Sequence, residues 1–101
     1  MIIVRITPQN FEKYRYKMLS FVKRFSNDAG DYKWLFHLTK HHFNCGTKII
    51  LALWNGKIIS LIAFSKCGKE KSVYIFSPQY HHPAISLKLH EIAKKELGQI
   101  F

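Results

Sequence analysis

Six histidines and two cysteines are the side chains of this sequence best suited to metal or nucleophilic chemistry. His37, His41 and Cys45 recur at intervals of four, with His42 beside the second. On one continuous helix they would form a line, and imidazole and thiolate groups so placed can hold zinc. Structural zinc sites take four ligands at recognised spacings, which this series lacks. Histidines finishing a helix end are the plainer account, since their charge suits the negative pole of the helix dipole. Cys45 or Cys67 beside a histidine would make a nucleophile pair, but no third, orienting group is visible. The expectation is therefore no metal site.

The strongest global signal is charge. Sixteen Lys and Arg face six Asp and Glu, a net charge of +10. Such a field draws polyanions: a nucleic acid, an acidic protein, an anionic membrane or a phosphorylated cofactor. A lysine-rich solvated surface accounts for the same numbers. Lys13, Arg15, Lys17, Lys23 and Arg24 fall in one predicted helix beside Tyr14 and Tyr16. Basic residues interleaved with aromatics suit nucleic acid, and a solvated helix face suits them as well. Lys66, Lys69 and Lys71 gather round a predicted turn.

A chain that is 48% hydrophobic and 15% aromatic is too apolar to stay disordered despite its charge. Its 101 residues predict a single domain, 1–101. No apolar run is long enough to cross a bilayer. The opening Met1-Ile2-Ile3-Val4 meets Arg5 at once, unlike a signal peptide. Two cysteines make no disulfide framework. The expected setting is reducing and cytoplasmic.

The elements that must position these groups are legible in the pattern. Ile2–Ile6 is a β-branched run, hence a strand. Thr7 then Pro8 suit a helix start, and a helix is predicted over Pro8–Phe25. Its inward face is Phe11, Tyr14, Met18, Leu19, Val22 and Phe25, at intervals of three and four. Ser26–Gly30 reads as a loop. A second helix is predicted from near Asp31 to Cys45-Gly46, with Trp34, Leu35 and Leu38 inward. Ile49–Trp54 and Ile58–Phe64 flank Asn55-Gly56, the turn pair that accepts positive φ twice. Both runs are apolar on both faces, which predicts helices on both sides of the sheet. Ser72–Ser77 is a further strand. A helix is predicted over Ala84–Leu97, with Ile85, Leu89, Ile92, Ala93 and Leu97 on one face.

This order resembles the GNAT family of N-acetyltransferases. The residues that carry the likeness are Ile3–Phe11, the hairpin Leu51–Ile62 with its Asn55-Gly56-Lys57 turn, and Phe76-Ser77-Pro78-Gln79-Tyr80 ahead of an amphipathic helix. The resemblance implies an α+β fold, β-α-α-β-β-β-α, with an antiparallel sheet, helices packed on both faces, and an end before the family's last strands. It implies acetyl-CoA as donor. Tyr74, Ile75 and Phe76 would form the strand that meets the pantetheine arm. The loop His81–Ser86, with His81, His82, Ala84, Ile85 and Ser86, would cradle the pyrophosphate at a helix N-terminus. The family loop reads Arg or Gln, then Gly, then Gly or Ala. Here His81, Ala84 and Ser86 take those places, and Pro83 has no N–H to give. The expectation is a weakened cradle. No residue matches the family's tyrosine that protonates the leaving thiolate. Glu12 and Asp31 lie in the half of the fold where a base would sit, and nothing in the sequence singles either out as catalytic.

Two functions fit these features. One is acetyl-CoA-dependent N-acetyl transfer to an amine. The other is a catalytically inactive GNAT-like binding module whose positive surface holds a nucleic acid or an acidic protein. A last strand left at a sheet edge would also favour a homodimer.

Overall fold

A computed structural model describes residues 2–44, 46–65, 71–78, 87–89, 91, 92, 94 and 95, with the side chains of His42, Asn44 and Lys71 left aside. The elements are β1 (Ile2–Ile6), α1 (Phe11–Phe25), α2 (Ala29–Phe36), α3 (Lys40–Asn44), β2 (Lys48–Trp54), β3 (Lys57–Ser65) and β4 (Lys71–Phe76). Residues 87–89, 91, 92, 94 and 95 are helical too and lie within the helix predicted over Ala84–Leu97. The four strands form one antiparallel sheet in the order β1-β2-β3-β4. No helix among the described residues is long and apolar enough to cross a membrane.

The sheet is buried on both faces, as its continuous apolar runs require. One face carries Ile6, Ile49, Leu51, Leu61, Ala63, Val73 and Ile75 against Phe11, Met18, Leu19, Phe21 and Val22 of α1 and against Leu35 and Leu38. The other carries Ile50, Ala52, Ile59, Ile62 and Phe64, with Leu89 of the C-terminal helical residues seated on it. Alternation along each strand makes the division: Ile49 and Leu51 face one side, Ile50 and Ala52 the other.

The Asn55-Gly56 turn is built as its sequence demands, with φ of 52° and 78°. A register shift at Ala52/Leu53 leaves Ile59 as an extra residue of β3. Ser60, opposite Ala52 and Phe76, then shares a face with Ile59. Its Oγ is buried and finds no partner among the described residues. An unsatisfied buried hydroxyl costs about 1–3 kcal/mol. Ser60→Ala is therefore expected to gain about 1 kcal/mol, seen as a rise in Tm of about 4–8 °C for a domain of this size. A fall in Tm would mean that the hydroxyl is bonded in the folded state.

The helices differ from expectation in three places. α1 begins at Phe11, because residues 8–10 form a turn of their own. Thr7 N–H donates to Asn10 Oδ1 at 2.7 Å and Asn10 N–H donates to Thr7 Oγ1 at 3.3 Å. These two bonds close the turn between β1 and α1, and Asn10, the N-cap of α1, makes no side-chain cap bond to the helix itself. The expected single helix from Asp31 to Cys45 is two helices, α2 and α3. The tighter bond from Leu38 N–H to Leu35 O, 3.2 Å, closes α2, and Leu38 turns into the core. α2 starts two residues early because the Asp28 carboxylate accepts from Gly30 N–H at 2.8 Å. Gly46 has a φ of 97° beyond α3, the left-handed stop expected there.

Candidate functional site

The break between α2 and α3 disposes of the histidine line. His37 caps α2 with φ −88° and ψ −1°, so His37 and His41 do not lie on one continuous helix. Among the described residues, no three His, Cys, Asp or Glu side chains converge where a metal could sit. Cys45 and Cys67 lie outside the described residues, as do His81, His82, Ala84, Ile85 and Ser86 of the expected phosphate loop.

The three strand residues of the expected donor site, Tyr74, Ile75 and Phe76, lie in β4, the last strand of the sheet among the described residues. Their backbone directions follow from one bond. Ser77 N–H donates to Ile59 O at 2.9 Å, so Ser77 turns its backbone groups towards β3. An antiparallel ladder alternates. Ile75 therefore also faces β3, while Tyr74 and Phe76 turn their N–H and C=O groups to the outer edge. Their side chains go the other way about: Ile75 packs on the α1 face, and Tyr74 and Phe76 on the face where Leu89 sits. Their rings meet edge to face, 4.5 Å apart at 68°. Burial pushes the Tyr74 phenol up from 10.0 to about 12, because the phenolate would lose its hydration.

At the C-terminal end of β4, an open cleft of about 590 Å³ lies between α1, the hairpin tip and Ser77. Phe21, Phe25 and Ile58 give it an apolar lining; Lys17, Arg24 and Lys57 bring positive charge; Tyr16, Ser20 and Ser77 bring hydroxyls. Helical spacing aligns Lys17, Ser20, Phe21 and Arg24 along one side of α1. Phe21 and Phe25 pack at 5.0 Å, and the Arg24 guanidinium lies 5.2 Å from the Phe25 ring centre. Among the described residues, nothing beyond its two chain neighbours lies within 4 Å of where a Cβ on Gly56 would be, so that wall is open.

The basic face read along α1 thus divides. Arg15 is engaged elsewhere: it donates to Phe36 O at 3.0 Å, at the end of α2, and pairs with Glu12 at 3.5 Å. Lys17 and Arg24 line the cleft, joined by Lys57 from the hairpin. Asp31 accepts from Ser26 Oγ at 2.8 Å, in the loop after α1. Neither Glu12 nor Asp31 lines the cleft. Sequence reasoning did not find the cleft, because Lys57 and Ser77 join it only through the sheet. Phe21, off the expected α1 stripe, is also buried.

With this geometry in place, comparison with solved structures fixes the architecture. A predicted acetyltransferase of Clostridium acetobutylicum, solved with acetyl-CoA, superposes with a TM-score of 0.57 at 14% identity. The match covers 96% of this chain and 73% of that one. A ribosomal-protein-alanine N-acetyltransferase of Brucella melitensis biovar Abortus 2308 gives 0.51 at 9% identity, covering 97% and 75%. The fold is GNAT-like. The chain spans about three-quarters of the length of each of these acetyltransferases. No family model matches the sequence, and no curated protein does. At these identities the likeness is one of fold, and the GNAT-like sheet places β4 and the cleft beside it without assigning roles to their side chains.

Proposed function

We propose that this GNAT-like domain takes acetyl-CoA along the outer edge of β4 and passes the acetyl group to an amine that enters by the α1 cleft. The observation that carries this reading is the direction of Tyr74 and Phe76, whose backbone groups face the side of the sheet where an extended pantetheine arm could lie as a further strand. The Clostridium acetobutylicum structure of the same fold is one solved with acetyl-CoA, which supports the donor. In the reaction the amine nitrogen attacks the thioester carbonyl carbon, the C–S bond breaks, and the amine proton is lost as the thiol forms. An N–H on the outer edge of β4, that of Phe76 first, would polarise the carbonyl oxygen.

One observation favours the second reading, an inactive binding module. Among the described residues, the cleft is lined by three cations and by no carboxylate or imidazole to take a proton. Titration calorimetry with acetyl-CoA at low and moderate salt, followed by thiol release with an amine panel, separates the two. Saturable binding that survives moderate salt, with thiol release, supports the enzyme. Binding without release supports the module. Absence of binding overturns the acetyl-CoA reading. Replacing the Phe76 amide by an ester, through ligation at Cys67, should weaken acetyl-CoA binding about five- to tenfold by removing one hydrogen-bond donor. The same exchange at Ile75 should lower stability by about 1 kcal/mol, since that N–H faces β3.

A further inference from the structure

We propose that the cleft between α1 and the β2–β3 hairpin binds a small organic anion: a carboxylate or phosphate joined to an apolar, preferably aromatic, body. Three features carry this. Lys17, Arg24 and Lys57 come from two separate elements and meet at one cleft, and no acidic residue among the described ones lines it. Cations gathered without counter-charges repel one another, and an oxyanion relieves that repulsion. The hydroxyls of Tyr16, Ser20 and Ser77 add donors suited to carboxylate or phosphate oxygens.

The apolar lining is the second feature. Phe21 and Ile58 are largely shielded, whereas Tyr16 is 77% exposed at the cleft wall. An aromatic ring this open, beside an apolar floor, offers a stacking surface for a planar group. The third is size. About 590 Å³ lies in the range of small-molecule sites and is too small for a folded partner. Arg24 rests against the Phe25 ring, which limits its freedom and lowers the entropy lost on binding. In the transferase reading this anion is the tail of the amine acceptor. Because the binding is measured with no acetyl-CoA present, failure of either reading leaves the other open to its own test.

The probes are phenyl phosphate, phenylacetate, neutral phenylacetamide and inorganic phosphate, titrated into the isotopically labelled full chain and followed by amide NMR shifts. The expected result is saturable binding of phenyl phosphate or phenylacetate, with shifts gathered at Tyr16, Ser20, Arg24, Gly56, Lys57 and Ser77. Which of the two binds more tightly names the oxyanion. Phenylacetamide and inorganic phosphate should each bind about tenfold more weakly than the better probe, since each lacks one half of the recognised group. Arg24→Glu and, on the other wall, Lys57→Glu should each weaken the better probe about tenfold or more. Lys33→Glu, the same charge change on exposed α2, should leave it unchanged. The NMR spectrum itself confirms that each variant is folded. Equal weakening by Lys33→Glu, equal binding of the neutral amide, or shifts spread over the surface would overturn the site. A single-stranded oligonucleotide that binds as tightly to the Arg24→Glu protein as to the Lys33→Glu protein would point to diffuse attraction of polyanions and also overturn it.

Discussion

Phe11→Ala should remove about 3–5 kcal/mol of stability, the most damaging single truncation we expect in this fold. Phe11 is fully buried at the first turn of α1. Its ring meets Phe43 of α3 edge to face, 5.2 Å between centres at 60°, and Arg15 lies 5.7 Å from its ring centre. Its N–H donates to Thr7 O at 2.9 Å, so the turn from β1 and the start of α1 share this residue. Deleting the ring leaves a cavity where three elements meet, and a backbone held by hydrogen bonds cannot close over it. Against the 5–15 kcal/mol by which domains are commonly stable, the loss shifts the folded-to-unfolded ratio roughly a hundredfold to a few thousandfold. Urea denaturation measures it. Tyr16→Ala, on the exposed side of the same helix, should stay within about 0.5 kcal/mol and serves as the control. A loss below about 2 kcal/mol for Phe11→Ala would mean that the junction repacks.

Leu89→Asp should be nearly as damaging, and it has a spectroscopic signature. Leu89 is buried among Ile50, Ala52, Ile59, Ile62 and Phe64 and is the seat of the C-terminal helical residues on the second face of the sheet. Truncating a buried leucine costs about 2–5 kcal/mol, and a carboxylate there adds the penalty of an unpaired charge. Tyr74 packs against the same cluster. Its phenol is raised to about 12 by burial, above its ordinary 10.0. The folded-state value is the higher one, so the unfolded chain gives up this proton first. The stability linked to Tyr74 is therefore whole below pH 10 and is lost as pH climbs from 10 towards 12. In an alkaline titration followed by phenolate absorbance, the late step near pH 12 should vanish in Tyr74→Phe. Leu89→Asp should move it down towards 10, because undocking the helical residues lets water reach the ring. Native stability together with an unmoved late step would show that Leu89 does not seat the helix.

These two sites show how unevenly the fold could be read in advance. Leu89 was legible because Ile85, Leu89, Ile92, Ala93 and Leu97 recur in the sequence at helical spacing, and Phe11 because it opens the apolar stripe of α1. Asn55-Gly56 was legible for a more local reason: two successive positive φ angles are cheap for that pair and costly for most others. The extra residue Ile59 had no such marker, since Ile58-Ile59-Ser60-Leu61 reads as an ordinary buried strand. The break at His37–Thr39 was also silent. It contains no Gly or Pro, and it arises because Leu38 gains more by entering the core than by continuing the helix.

The sequence by itself determined the order of elements, the hairpin, the two-faced sheet and the strong positive charge, because each is written in periodicity, turn chemistry or composition within a few residues of itself. Only the tertiary structure decided which cations act together. Arg15 goes to the end of α2, whereas Lys17 and Arg24 join Lys57 and Ser77, residues up to 60 positions away, at one cleft. It also decided which backbone groups of β4 face outward, since a single hydrogen bond, from Ser77 to Ile59, sets the phase of the whole ladder. Both outcomes depend on the pairing register of β3 and on the packing of α1 across the sheet, and neither quantity is carried by any short stretch of chain.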